Sequence, residues 1–133
     1  MIIDNNLTFG QMLADALRTT FSSSVMNLSA SSTNLIGRFR LFSPDIVFID
    51  VQSLGNTCFE LTKYFKSSRL ALRIIWFTSC DQPEYSKKAH ASGVDYCLSK
   101  DSLTMDGIVD IIRIESSAGR IGGKPTLPIQ SLS

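Results

Sequence analysis

Two stretches of this chain are apolar without interruption, IVFI at 46–49 and IIWF at 74–77, and each is followed at once by a polar side chain, Asp50 or Thr78. A strand with one face in water alternates apolar and polar residues; an unbroken run implies cover on both faces. Helices crossing over between parallel strands provide that cover, and such crossovers are right-handed. The segments between the runs agree. Phe9, Met12, Leu13, Ala16 and Leu17 recur at helical spacing, as do Cys58, Leu61, Thr62 and Phe65.

The remaining elements complete the alternation. Ile2 and Ile3 make a very short first strand, and Val25 to Leu28 a weak second one. The Ser/Thr cluster at 29–33 offers N-caps to a helix carrying Leu35, Ile36 and Phe39, which Pro44 closes. Asp81 with Glu84 resembles a capping box, Pro83 suits a first helical turn, and Gly93 is placed as a C-terminal cap. Tyr96 to Ser99 forms a last strand, and Ser102 or Thr104 can cap a helix with Ile108, Ile111 and Ile112 on its apolar face. From about Glu115 onward the chain is small, polar and rich in Gly and Pro, so 115–133 reads as a flexible tail or linker behind one domain at 1–114. Five strands alternating with five helices predict an α/β domain with a parallel sheet.

Composition narrows the function. With 133 residues, 44% of them apolar, the chain has material for one core. Thirteen basic residues against twelve acidic ones leave a net charge of +1, which gives no electrostatic ground for a nucleic acid or membrane partner. The opening MIID has neither a basic leader nor a long apolar run, and a cytoplasmic protein is expected. Cys58, Cys80 and Cys97 have no CxxC spacing, so neither a zinc site nor a disulfide framework is expected.

In a sheet of this kind ligands gather at the carboxyl ends of the strands. The residues due there are Asp4 and Asn5 after the first strand, Asp50 after the third, Thr78 and Ser79 after the fourth, and Lys100 after the fifth. Two carboxylates, helped by an amide and a backbone carbonyl, are the hard oxygens that Mg²⁺ takes while keeping several waters. A hydroxyl and an ammonium beside them suit a phosphoryl group, whose transfer to a carboxylate requires charge neutralisation. Asp50, delivered by the most buried strand, is the candidate nucleophile. Each residue alone has a plainer role, as a cap, a turn hydroxyl or a solvated lysine; their joint occurrence at four strand ends carries the argument.

From Met1 to about Ile114 the chain resembles the receiver domain of bacterial two-component response regulators, on the segments IIDNN, PDIVFID, IIWFTS and GVDYCLSKD in that order. The resemblance implies a flavodoxin-like doubly wound fold of five parallel strands in the order 2-1-3-4-5, with helices on both faces. It implies a signalling switch phosphorylated on Asp50 by a sensor histidine kinase or phosphotransfer protein, catalysing its own phosphorylation and dephosphorylation with Mg²⁺. Thr78 and Lys100 would assist, and the metal set would be Asp4, Asn5, Asp50 and, through its backbone, Gln52. Thr78 and Cys97 would occupy the switch positions, and a homodimer is a family expectation.

The sequence departs from that pattern at two points. Asn5 stands where a second acid is usual, which predicts weaker Mg²⁺ binding and slower phosphorylation, because charged contacts are about twice as strong as neutral ones. Cys97 stands where the switch aromatic is usual, and Tyr96 beside it points to the opposite face. A degenerate receiver serving as a phosphorylation-independent interaction module is therefore the rival expectation. Gln52 excludes a haloacid-dehalogenase-type phosphatase, which needs a general-acid Asp there. GRIGGKP at 119–125 lacks P-loop spacing, no GxGxxG follows the first strand, and His90 belongs on a helix surface away from the rim.

Overall fold

The computed structural model describes residues 1–78, 83–117 and 130–131. In chain order the elements are β1 (Ile2–Ile3), α1 (Leu7–Phe21), β2 (Asn27–Leu28), α2 (Leu35–Phe42), β3 (Ile46–Asp50), α3 (Val51–Leu54), α4 (Thr57–Ser68), β4 (Arg73–Thr78), α5 (Pro83–Ser92), β5 (Tyr96–Ser99), α6 (Met105–Ser117) and β6 (Gln130–Ser131). The five expected strands lie in the order 2-1-3-4-5, all parallel, and β6 adds a sixth beside β5, pairing Tyr96 with Gln130 and Cys97 with Ser131. Helix α6 runs three residues past Ile114, and β6 lies within the stretch read as a tail. Residues 118–129 of that stretch, with Ser79, Cys80 and the Asp81 half of the capping box, lie outside the described residues.

Side-chain alternation sorts the core into two layers. Ile2, Phe48, Ile75, Phe77, Tyr96 and Leu98 pack with Leu13, Ala14 and Leu17 of α1 and with Ile108, Ile111 and Ile112 of α6. Ile3, Val47, Ile49, Ile74, Trp76 and Cys97 pack on the other side with Phe39 of α2, Cys58 and Phe65 of α4 and Ala89 of α5. Both faces of β3 and β4 are thus covered, as their unbroken apolar runs require.

Three local expectations change. Helix α1 buries Gly10, Leu13, Ala14 and Leu17, and Met12 is 54% exposed, so the buried stripe is rotated from the one drawn through Phe9 and Met12. Gly10 lies on that buried side, where an added Cβ would meet the Asn27 side chain at 2.6 Å. Helix α2 is capped by Asn34, whose side chain accepts from the Gly37 N–H, rather than by the Ser/Thr cluster before it. The short helix α3 was not expected; it forms because Asp50 caps it. The caps at Thr104 and Gly93 are as expected, the first accepting from the Gly107 N–H and the second holding φ +87°, a conformation that favours glycine.

A buried ionic network ties the amino-terminal edge of the sheet to α6. Arg73, 2% exposed, donates from Nη1 to Asp95 (2.8 Å) and from Nε to Glu115 (3.1 Å). Tyr96 Oη donates to Glu115, and Lys66 Nζ pairs with Asp95 at 2.9 Å. Two cations face two anions, so little net charge is left in the interior. Breaking such a pair leaves a buried charge uncompensated, which costs about 3–5 kcal/mol. Glu115→Ala should lower the unfolding free energy by about that amount in a urea titration, with Glu115→Gln intermediate.

Burial pushes the Cys58 thiol up to about 12, a rise opposed by its contact with the Thr62 hydroxyl and reinforced by the charges of Asp50 and Cys97. The fold keeps this thiol protonated while the unfolded chain ionises near its ordinary value of 9.0, so the unfolded state holds fewer protons in between. Stability should therefore fall as pH rises from about 9 toward 12. A native chain at pH 8 should resist iodoacetamide at Cys58 and react there only after denaturation, as read by peptide mass spectrometry.

Candidate functional site

Because strands β3 and β4 are covered on both faces, polar groups can meet only at the strand ends, and the carboxyl ends bring three of the expected residues together. Alternation places Asp4 after β1, Asp50 at the end of β3 and Lys100 after β5 on the α1/α6 side of the sheet. There Lys100 Nζ lies 2.6 Å from Asp4 Oδ2 and 3.4 Å from Asp50 Oδ1. Asp4 is 1% exposed, and the Lys100 side chain is 17% exposed. The ammonium also sits 4.5 Å from the ring centre of Phe9, a cation–π contact that closes the site from α1.

Both carboxylates are further held by the chain. Asp4 Oδ1 accepts from the Asn6 N–H at 2.8 Å. Asp50 Oδ2 accepts from the Ser53 N–H at 3.1 Å and from the Ser53 hydroxyl at 2.5 Å. Asp50 is thus both the N-cap of α3 and a member of the charged cluster. The Ser53 hydroxyl in turn accepts from the Asn5 N–H at 3.0 Å, which ties the end of β1 to the start of α3.

The other expected residues lie elsewhere. The Asn5 side chain turns away, its Oδ1 accepting from Ser29 Oγ at 2.8 Å and the Ala30 N–H at 2.9 Å. Gln52 is exposed on α3. Alternation puts Thr78 on the opposite face of the sheet, with Trp76 and Cys97, and among the described residues its hydroxyl makes a weak contact, 3.5 Å, to the Leu98 carbonyl. The Lys100 N–H donates to the Thr78 carbonyl at 2.7 Å, so the ends of β4 and β5 are locked in register. Cys97 is buried in the layer that contains Trp76, whose indole N–H donates to the Thr62 hydroxyl at 3.0 Å. Tyr96 lies in the opposite layer, as alternation requires, and His90 is exposed on α5.

As a metal site the donor set offers the two carboxylates Asp4 and Asp50. That suits a cation which keeps several waters, provided that the Lys100 ammonium moves off the oxygens it now holds. Among the described residues no group of three or more His, Cys, Asp or Glu side chains converges on one point. Sequence reasoning missed Ser53, Phe9 and Asn6. The first carried a signal, since Asp50-x-x-Ser53 has the spacing of a helix cap and its third residue.

Neither a protein-family model nor a curated protein sequence matches the chain. Solved structures do. The signal receiver domain of a DNA-binding response regulator from Colwellia psychrerythraea superimposes with a TM-score of 0.75 at 19% identity, over 87% of this chain and 95% of that one. A CheY-like response regulator receiver domain from Methanospirillum hungatei gives 0.73 at 14% identity, over 88% and 91%. The receiver domain of the putative response regulator NarL from Mycobacterium tuberculosis gives 0.71 at 21% identity, over 89% and 94%. The chain therefore has the fold of response regulator receiver domains. No helix among the described residues is long and apolar enough to cross a membrane.

Lys100 is the cation that faces both acids of the cluster, which yields a direct test. Lys100→Met should lower stability at pH 7 by about 3 kcal/mol, the cost of an uncompensated buried charge. Millimolar Mg²⁺ should restore part of that loss in the variant while changing the parent chain less, as measured by urea unfolding with and without the cation.

Proposed function

We propose that the chain is the phosphoacceptor receiver domain of a two-component response regulator, with Asp50 taking the phosphoryl group from a sensor histidine kinase or phosphotransfer protein. The observation that carries this reading is the Lys100 ammonium set between Asp4 and Asp50, which draws three strand ends and 96 residues of sequence into one charged cluster. Asp50 Oδ1 is the oxygen that faces the ammonium, and Lys100 can follow the charge from the carboxylate to an incoming phosphoryl oxygen. Asp4, Asp50 and the Gln52 carbonyl would hold Mg²⁺, which supplies further neutralisation of phosphoryl charge when bound. Asn5 would join only by leaving Ser29 and Ala30. Thr78, at the end of β4, would bind the phosphoryl group after a rotation toward the rim, and that movement would reach the Cys97 layer through their shared face. A cytoplasmic location and a phosphorylation-dependent homodimer belong to the same reading.

A second reading has its own observation. The two carboxylates are already held by Lys100, Asn6 and Ser53, and the Asn5 amide is engaged elsewhere, as expected of a receiver that serves as an interaction module without phosphorylation. The phosphoacceptor reading is preferred because Asp4, Asp50, Thr78 and Lys100 are all retained. Incubation with acetyl phosphate and millimolar Mg²⁺ should add one phosphoryl group by intact mass, slowly, and Asp50→Asn should abolish the addition. An unmodified parent chain under those conditions would reject the switch and leave the interaction module.

A further inference from the structure

The Ser53 hydroxyl holds an unusual place for a residue outside the expected site. Its oxygen accepts from the Asn5 N–H, and its own proton is directed to Asp50 Oδ2, since a carboxylate oxygen there can only accept. The hydroxyl and the carboxylate oxygen lie within hydrogen-bond distance, with the hydroxyl as donor. The Ser53 N–H already caps α3 through the same oxygen, so the hydroxyl is an additional donor that the helix cap does not require. Oδ2 thereby has two donors, and Oδ1 faces Lys100 alone among the described residues.

We propose that Ser53 is a positioning residue for the phosphoryl transfer assigned above to Asp50: it holds Oδ2, presents Oδ1 as the accepting oxygen, and biases the site toward its unphosphorylated state. The inference rests on the phosphoacceptor reading. In the forward step the N–P bond of phosphohistidine, or the P–O bond of an acyl phosphate donor, breaks as the Oδ1–P bond forms, and the leaving group keeps the bonding electron pair. The Asp50 carboxylate then becomes a neutral acyl oxygen at Oδ2, a poorer acceptor for the Ser53 proton. In hydrolysis a water oxygen attacks phosphorus, the electron pair of the Oδ1–P bond returns to Asp50, and the water proton passes to phosphate. The Ser53 hydrogen bond strengthens along that path, because charge reappears on the carboxylate. One contact therefore slows formation and speeds loss of the acyl phosphate.

The test measures both rate constants with acetyl phosphate and Mg²⁺ on the parent chain, Ser53→Ala and Ser53→Thr, alongside their unfolding midpoints. Ser53→Ala should form the acyl phosphate faster and lose it more slowly, raising the phosphorylated fraction at limiting donor about tenfold, the scale of a hydrogen bond that weakens from a charged to a neutral acceptor. Ser53→Thr, which keeps the hydroxyl, should return both constants toward the parent values. A merely structural role would move the two constants in the same direction. Phosphorylation of Asp50 in the parent with unchanged constants in Ser53→Ala, or with both constants lowered, overturns this inference and leaves the phosphoacceptor reading intact. Absence of phosphorylation in the parent overturns both. If Ser53→Ala unfolds, Ser53→Cys carries the same comparison, since a thiol is a weak donor in nearly the same position.

Discussion

Two-sided cover of the central strands is the constraint on which everything else depends. β3 and β4 have α1 and α6 on one face and α2, α4 and α5 on the other, so neither face can carry an unpaired polar group without a large penalty. Charge is driven to the ends. At the amino-terminal edge it forms the Arg73, Asp95, Glu115 and Lys66 network, and at the carboxyl edge the Lys100, Asp4 and Asp50 cluster. The first is balanced, two cations against two anions. The second holds one cation against two anions, and that residual negative charge is what a divalent cation would meet.

Much of this architecture could be read from residue order. Unbroken runs at 46–49 and 74–77 mark strands covered on both faces, and the helical spacing between them marks the cover. Strand ends then follow, and with them Asp4, Asp50 and Lys100 as neighbours. What escaped depends on how neighbouring elements meet in space, which spacing along the chain does not state. Asn5 was placed with the acids by its position, yet its amide finds two donors in the loop after β2. Met12 fitted the helical spacing, yet the buried stripe runs through Gly10, which lies close to Asn27, and leaves Met12 exposed. Thr78 was assigned to the rim by its strand end, but the parity that unites Asp4, Asp50 and Lys100 puts it on the other face. The strand order, by contrast, came from family resemblance and not from periodicity, which cannot say which strands are neighbours.

Asp50 shows why a plain role and a chemical one need not compete. As an isolated residue it invites description as a helix cap, and it is one, closing α3 through the Ser53 N–H. The same carboxylate turns its other oxygen to Lys100. Capping fixes the carboxylate plane, and a fixed plane presents one oxygen in a defined direction. The local hydrogen bond is thus a means of orienting a charged group, and α3 exists in part because that group needs an anchor.

The distance in sequence between Asp4 and Lys100 has a consequence for how the molecule is assembled. The contact joins the residue just after β1 to the residue just after β5, and closing so long a loop is entropically unfavourable until the strands between them have docked. Asp4, almost fully enclosed in the finished fold, meets its countercharge only when β5 arrives. A nascent chain that has emerged as far as β4 holds both acids but lacks the lysine, so the charged cluster cannot close before β5 has docked. Docking of β5 and creation of the site are in this sense the same event.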